Sequence, residues 1–386
     1  MTKSKVGEKS LIIPKKIITA DYENRILKNQ AVEITNNKIS AFVPKSEIRK
    51  DNYDEIYDAR HLTLIPGFIQ THVHLSQTLF RGLAEDLTLL EWLQLKIFPF
   101  ENAHNESSLK ITAQLSINEL LLGGTTTLLD MGTLRYGEVV FKEMIESGIR
   151  GFTGKCLMDV NDLFPEFKSS KKEEIRDIQN LAKSFHNFDG GRIKYSFSPR
   201  FVLSCTEGLL KETKEIMKDY PGSVYHTHSS ENLDEINEVR KRFQRENIEY
   251  FDSIGVLDDH TVFAHCVHTS ENEKKMLKDK DTRIAHCPSA NMKLGSGIAP
   301  IPQYLKEGIS VTLGADGAPC NNNLSIFYEM RLASLIQKPI HGAETMDAKT
   351  IFRMATIEGA KALHLQDEIG SIEVGKKADL VLNDID

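Results

Sequence analysis

No stretch of this sequence stays apolar for the roughly 18 residues that a membrane-spanning helix needs. The first residues, MTKSKVGEKSLII, are partly basic, but no apolar segment of signal-peptide length follows them. Positive charge is not in excess, because the formal net charge is −7. This balance gives no reason to expect nucleic acid or an anionic membrane as a partner. We therefore expect a cytoplasmic protein.

Cysteine is scarce and shows no pairing pattern. The five cysteines are an odd number, they are widely spaced, and none forms a CxxC motif. Disulfides are rare in reducing compartments, so we expect free thiols. The residues concerned are Cys156, Cys205, Cys266, Cys287 and Cys320.

The sequence also lacks a repeat of fixed period, a low-complexity tract and a glycine-rich nucleotide fingerprint. Instead, β-rich segments alternate with longer amphipathic segments. Such alternation predicts parallel strands joined through βαβ units, and eight units predict a (β/α)8 barrel. A doubly wound sheet is the alternative fold. The candidate strands span residues 62–74, 125–132, 150–159, 192–201, 222–230, 260–268, 282–290 and 308–317.

The two ends of the chain differ from this pattern. Residues 10–60 have the composition of short strands and turns, and residues 369–386 are β-like with glycine punctuation. We therefore expect a small β-sandwich-like domain built from both termini. The predicted division is 1–62 and 366–386 for this domain and 63–365 for the barrel.

Polar residues stand at the C-terminal ends of four candidate strands, where barrel enzymes place their active sites. Residues i and i+2 of a strand face the same side, so His72 and His74 both reach the barrel mouth. With His228 and Asp316 they are a suitable ligand set for one divalent metal with a position left for water. The sequence therefore predicts a metal centre at this end of the barrel.

Two further residues of this group suit hydrolysis. A bound metal lowers the pKa of its water, so that hydroxide is available near neutral pH. Glu231 is placed to act as general base and to return the proton to the substrate. His265 is placed to hold the hydroxide or to polarise the transition state, and Asp316 to orient the nucleophile as well as ligate. The expected reaction is hydrolysis of a C–N bond.

The motifs THVH, HSSE, AHC and ADGAP resemble those of the amidohydrolase superfamily, in particular its mononuclear deaminase branch. The resemblance covers nearly the whole chain. The segments HLSQTLFRGLAEDLTLLEWL, SPRFVLSCT, HCPSANMKLGSGIAPI and LGADGAPCNNN most resemble the 5'-deoxyadenosine, methylthioadenosine and S-adenosylhomocysteine deaminases.

The resemblance implies one metal, usually zinc and sometimes iron. It implies that Glu231 protonates a purine ring nitrogen while hydroxide, contacted by His265, attacks the amine-bearing carbon. Glu101, in FPFE, stands where methylthioadenosine deaminases bind ribose hydroxyls. The implied metal ligands are His72, His74, His228 and Asp316.

Some residues depart from the nucleoside deaminase pattern. Arg200 stands where these enzymes carry a histidine, and Lys155 where they carry an arginine. Gln77, Arg200 and the segment GKCLMDVNDLFPEF resemble guanine deaminases, whose glutamine and arginine read the base. Trp92, the single tryptophan, lies in segment 75–107, which is long enough to form a lid or pocket wall. The candidate substrate contacts are Glu101, Gln77, Arg200, Lys155 and Trp92.

The sequence therefore predicts a metal-dependent hydrolase of C–N bonds in cyclic amidines, acting on a 6-aminopurine nucleoside with release of ammonia. The alternatives are a guanine deaminase, an aminohydrolase or chlorohydrolase of a triazine-like heterocycle, and a non-catalytic relative that serves as an assembly protein. The expected partner is a small purine nucleoside or base, and a homo-oligomer is left open.

A binuclear centre is disfavoured because strand four ends in Ser198-Pro199-Arg200, without a bridging lysine. Since family members commonly continue past the position of Asp386, we expect an incomplete or partner-closed terminal β domain.

Overall fold

The computed structural model describes residues 8–162 and 164–384. Residues 1–7 and 385–386, which begin and end the predicted small β domain, lie outside the described residues. Five strands come first and belong to one sheet, in which β1 pairs in parallel with β5 and antiparallel with β2 and β3. They are β1 (Lys9–Ile18), β2 (Ile26–Lys28), β3 (Gln30–Thr35), β4 (Lys38–Pro44) and β5 (Glu55–Pro66).

A second sheet of parallel strands follows, in the order β6-β7-β8-β10-β11-β12-β13-β14, with β9 continuing beside β10. Apart from the short β9, each strand pairs with the next one along the chain, as expected when helices connect parallel strands. The strands are β6 (Phe68–Val73), β7 (Thr125–Asp130), β8 (Arg150–Thr153), β9 (Cys156–Leu157), β10 (Ile193–Pro199), β11 (Val224–Ser229), β12 (Thr261–His265), β13 (Arg283–His286) and β14 (Val311–Leu313).

The first and last strands of this sheet meet, which closes it into a barrel. The amide of Asp316 donates to the carbonyl of His72 at 3.1 Å, and the hydroxyls of Thr71 and Thr312 lie 2.5 Å apart. A Cβ on Gly314 would lie 2.5 Å from the oxygen of His72, so only glycine permits this approach. The predicted (β/α)8 barrel is confirmed, and the doubly wound alternative is excluded.

The C-terminal strand β15 (Leu380–Asn383) pairs antiparallel with β5, so both termini contribute to the small sheet as predicted. The candidate strand 62–74 is in fact the end of β5 and the whole of β6. Gly67 separates them, and a Cβ there would lie 2.0 Å from Oγ1 of Thr126. Because β5 runs to Pro66, the division between residues 62 and 63 falls inside a strand of the small sheet.

Helices cover the outside of the barrel and its mouth. They are α1 (Leu89–Trp92), which continues into a π-helical turn (Leu93–Ile97), α2 (Phe98–Asn102), α3 (Glu106–Leu122), α4 (Gly137–Ser147), α5 (Lys171–Phe185), α6 (Phe188–Gly191), α7 (Glu207–Met217), α8 (Leu233–Phe243), α9 (Asn247–Ser253), α10 (Glu271–Asp279), α11 (Pro288–Lys293), α12 (Ile301–Glu307), α13 (Ala318–Asn321), α14 (Ile326–Leu335), α15 (Lys338–His341), α16 (Ala348–Met354) and α17 (Ile357–Ala362). No helix in the described part of the chain is long and apolar enough to span a membrane. All five cysteines are buried and unpaired.

Candidate metal centre and active site

Four side chains from three strand ends meet at the C-terminal mouth of the barrel. Nε2 of His74 lies 3.3 Å from Nε2 of His228 and 3.2 Å from Oδ1 of Asp316. Nε2 of His72 lies 3.3 Å from the same carboxylate oxygen. One ligand atom from each of the four residues lies within 4.8 Å of the others. The structure thus brings together all four residues that the sequence predicts as metal ligands.

The protonation of these groups favours cation binding. Nδ1 of His228 lies 2.6 Å from the carbonyl oxygen of Arg200; a carbonyl only accepts, so this nitrogen carries the proton and Nε2 keeps its lone pair. Burial lowers the pKa of His72 to about 4 and that of His228 well below its usual value. Both rings are therefore neutral near pH 7, which is the form that coordinates metals.

The carboxylate of the cluster stays ionised. Burial alone would raise the pKa of Asp316, but the neighbouring His72 and His74 hold it well below its usual value. Nε2 of His72 is buried and makes no hydrogen bond. Lone pairs and a negative charge therefore converge on one point, and a cation satisfies them. Three imidazoles and one carboxylate fit a divalent metal such as zinc.

Two more predicted residues face this cluster. Nε2 of His265 lies 3.4 Å from Oε2 of Glu231 and 3.8 Å from Oδ2 of Asp316. Oε1 of Glu231 and Nε2 of His265 are buried without hydrogen-bond partners. Burial, followed by the charge of Asp316, raises the pKa of Glu231 well above its usual value. A carboxyl group of this kind is suited to taking up and releasing a proton near neutral pH.

Backbone strain is concentrated where these side chains leave their strands. Ser230, before Glu231, has φ of 53°, His265 has φ of 75°, and Asp316 has φ of 61°. Non-glycine residues rarely adopt positive φ, and such residues cluster at functional sites. The positive φ values thus fall at the strand ends where the polar side chains of the cluster stand.

The cavity above the cluster has a polar floor and mostly apolar walls. Segment 75–107 supplies part of the wall through α1 and the turn that follows it, which agrees with its predicted role. Nε1 of Trp92 is buried without a partner and can donate to a ligand. The lining residues are His74, Leu89, Trp92, Leu93, Arg200, Phe201, His228, Glu231, Glu235, His265, Leu294 and Asp316.

Comparison with known proteins agrees with this geometry. The model of the amidohydrolase family matches residues 63–386. The chain belongs to the amidohydrolase family. It is 38% identical over 357 residues to a 5'-deoxyadenosine deaminase of Methanosphaera stadtmanae, covering 92% of this chain and 81% of the relative. It is 36% identical over 372 residues to a 5-methylthioadenosine/S-adenosylhomocysteine deaminase of Thermoanaerobacter pseudethanolicus, covering 96% and 84%.

Solved structures of amidohydrolase fold also resemble the chain. An adenosine deaminase from Xanthomonas campestris with bound zinc matches with a TM-score of 0.89 and 27% identity, covering 97% of this chain and 84% of that one. A guanine deaminase from C. acetobutylicum with bound guanine matches with a TM-score of 0.88 and 27% identity, covering 97% and 90%. The resemblance recognised from the sequence motifs is confirmed.

Three of the predicted substrate contacts form one buried network in this amidohydrolase. Nη1 of Arg200 donates to Oε2 of Glu101 at 2.7 Å, and Nε2 of Gln77 donates to Oε1 of the same carboxylate at 2.7 Å. The Gln77 amide also lies 3.3 Å from Nδ1 of His74. The Arg200 guanidinium lies over the ring of Phe98 at 5.1 Å. Arg200 lines the cavity, whereas Glu101 and Gln77 contact the network from outside the cavity lining.

Lys155, predicted as a substrate contact, points elsewhere. Its Nζ donates to the carbonyl of Leu134 at 2.9 Å and to Asp177 at 3.0 Å, in a polar cavity beside α4 and α5. The next residue, Cys156, lies 3.9 Å from Arg200 and so faces the active site. Successive residues of a strand face opposite sides, so Lys155 faces away. The structure therefore does not bring Lys155 to the cavity above the four clustered residues.

Sequence reasoning missed two supporting residues. Oε2 of Glu235 accepts from the amide of Glu231 at 2.9 Å, and Glu235 caps the start of α8 together with Asn232. The pattern of asparagine followed three residues later by glutamate is a recognisable capping signal. Oδ1 of Asn291 lies 2.8 Å from Nδ1 of His265. No local signal marks Asn291, because its partner is 26 residues away.

Proposed function

We propose that this amidohydrolase removes the 6-amino group of a purine nucleoside of the 5'-deoxyadenosine, methylthioadenosine or S-adenosylhomocysteine type. The observation that carries the proposal is the unpartnered pair Glu231 and His265, which faces the His72, His74, His228 and Asp316 cluster across one cavity. The relatives named as deaminases of such nucleosides, at 36–38% identity, support the substrate class.

We propose zinc as the metal. The three imidazoles and one carboxylate are typical zinc ligands, and the zinc-bound adenosine deaminase of similar fold supports this choice. When bound, the ion would lower the pKa of a coordinated water and supply a nucleophile near neutral pH.

The protein side chains would carry the proton transfers. Glu231 would take one proton from the attacking water and deliver it to the ring nitrogen next to the amine-bearing carbon. It would then take the remaining proton from the same oxygen and pass it to the departing amine. In sum, the oxygen of one water bonds to the carbon, the C–N bond breaks, and ammonia leaves. The raised pKa of Glu231, caused by burial and then by Asp316, suits both transfers.

His265 would orient the attacking oxygen. Asn291 Oδ1 accepts from Nδ1 of His265 at 2.8 Å, so a ring with a single proton carries it on Nδ1 and has Nε2 as an acceptor. Nε2 therefore accepts a hydrogen bond from the attacking water and directs its lone pair towards the substrate.

The walls suit a flat base. Trp92, Phe201 and Leu294 offer apolar surface to the purine ring. We propose that Arg200 donates to an acceptor of the substrate, with Gln77 and Glu101 holding the guanidinium in place. In the nucleoside reaction, Glu101 would accept from a ribose hydroxyl after releasing Arg200 or Gln77, which engage its two oxygens.

Guanine deamination is the second candidate, and one observation favours it. Both oxygens of Glu101 already accept from Arg200 and Gln77, so the carboxylate is less available to ribose than a free glutamate would be. Arg200 and Gln77 are also the residues that resemble base readers.

The two candidates are separated by assaying the purified, zinc-loaded protein. Ammonia release is measured with 5'-deoxyadenosine, methylthioadenosine, S-adenosylhomocysteine, adenosine and guanine, together with the metal content. We expect turnover of one or more of the nucleosides. Turnover of guanine alone would overturn the nucleoside proposal, and absence of ammonia from every substrate would overturn both.

A further inference from the structure

A further buried histidine, His226, contacts one of the four proposed metal ligands. His226, on β11, is fully buried and two residues before His228. Its Nε2 lies 2.8 Å from Nδ1 of His72, and its Nδ1 lies 2.9 Å from the carbonyl oxygen of Val262. Both ring nitrogens of His226 are thus engaged, one with β6 and one with β12.

These contacts determine where the protons lie. The carbonyl of Val262 can only accept, so Nδ1 of His226 carries a proton. The neutral ring then has a lone pair on Nε2, and Nδ1 of His72 must donate to it. His72 is therefore held with its proton on Nδ1 and its lone pair on Nε2, the atom that points towards Asp316.

We propose that His226 is a positioning residue for the metal centre. Because it donates to the Val262 carbonyl through Nδ1, it accepts from Nδ1 of His72 through Nε2. This hydrogen bond keeps the lone pair of His72 on Nε2, the atom that would bind the ion. The inference rests on the proposed metal-dependent function, in which His72 is a ligand. Partners that orient ligand imidazoles in this way typically strengthen metal binding.

A second ligand histidine, His228, shows why such a relay is needed. His228 reaches a backbone carbonyl directly, at Arg200. For His72, the hydrogen-bond acceptor is the ring of His226 and not a backbone carbonyl. The centroids of the two rings lie 4.9 Å apart. Register supports the relay, because His226 stands opposite Val262 in the pairing of β11 with β12.

His286 offers a matched control. It is also a buried histidine of the barrel, at the end of β13. Neither of its ring nitrogens has a hydrogen-bond partner in the described structure. Replacing it removes a buried imidazole without removing a bond to a proposed ligand.

The test measures zinc affinity of metal-free protein by competition with a chelating dye, with no substrate present. We expect His226→Leu to weaken zinc binding about 10–100-fold. His226→Gln should retain more affinity than His226→Asn, because the Gln amide reaches the position of ring Nε2 and the Asn amide only that of Nδ1. His286→Leu should leave the affinity unchanged.

A second measurement reads the protons directly. In metal-free protein with ¹⁵N-labelled histidine, NMR should show both His72 and His226 protonated at Nδ1. A proton on Nε2 of His72 would overturn the relay.

The outcomes separate the two proposals. If wild type binds zinc and His226→Leu binds it equally well while folded, the relay is wrong and the proposed function stands. If wild type binds no zinc, the proposed function fails. If His226→Leu does not fold, equal zinc affinities for His226→Gln and His226→Asn overturn the relay.

Discussion

Oε2 of Glu231 and Nε2 of His265 lie 3.4 Å apart, at the ends of two neighbouring strands of the barrel. Each side chain also has a buried polar atom without a hydrogen-bond partner, Oε1 of Glu231 and Nε2 of His265. Buried polar atoms are normally satisfied, and this unsatisfied pair supports our proposal that water and substrate bind here. The chemistry of the site is tested best at these two residues.

Replacing Glu231 should remove the proton transfers and leave the metal cluster intact. We expect Glu231→Gln to lower kcat by about 10²–10⁴-fold, with zinc content equal to that of wild type. Glu238→Gln is the control, because Glu238 lies on α8, the helix that follows Glu231, and pairs with Arg242 away from the cluster. Retention of wild-type kcat in Glu231→Gln would contradict the proposed role.

Replacing Asn291 should remove the hydrogen bond that orients the ring of His265, while the imidazole itself stays in place. We expect Asn291→Ala to lower kcat more than it changes KM, because the ring would no longer be held with Nε2 as acceptor. Steady-state kinetics over a range of pH checks this prediction, together with the thermal unfolding midpoint. A loss confined to thermal stability, with kcat unchanged, would show that Asn291 only supports the fold.

The buried pair of Arg200 and Glu101 should show strong energetic coupling. Removing one partner leaves an uncompensated buried charge, so Arg200→Met is expected to lower the free energy of unfolding by about 3–5 kcal/mol. The double variant with Glu101→Gln should regain part of this loss, because no charge is then left without a partner. Urea denaturation of the metal-loaded proteins gives both values, and a double variant no more stable than Arg200→Met would contradict the coupling.

Glu174 should make stability depend on pH. Burial raises its pKa to about 8 from the usual 4.5, although the Lys155 ammonium opposes the shift. The folded protein therefore binds this proton more tightly than the unfolded chain does. The contribution is fully present below about pH 4.5 and is lost as the pH rises towards 8.

The comparison variant for this prediction is Glu174→Gln, which carries no titrating group. The free energy of unfolding of wild type should fall relative to the variant between about pH 5 and about pH 8, and then level off. Urea denaturation at several pH values measures the difference. A difference that stays constant across this range would show that the folded-state pKa of Glu174 is not raised.

Local patterns in the sequence were enough to predict the barrel and the place of the metal cluster. Alternation of side chains along a strand puts His72 and His74 on one face, whatever the rest of the chain does. The order of strands and helices predicts parallel pairing, and each barrel strand apart from the short β9 does pair with the next along the chain. These features depend on residues that are close in sequence.

Contacts between distant residues were decided by the tertiary structure alone. Lys155 was predicted as a substrate contact because it stands where methylthioadenosine deaminases carry an arginine. In the structure its Nζ donates to Asp177, while the next residue, Cys156, contacts Arg200. Arg200 and Glu101 are 99 residues apart, and no local pattern predicts that they pair.

The proton on His72 is decided at a still greater distance. It depends on His226, 154 residues along the chain, and through it on the carbonyl of Val262. The sequence determined which residue types stand at the strand ends. The register between strands, which only packing of the whole barrel sets, determined which of their atoms meet.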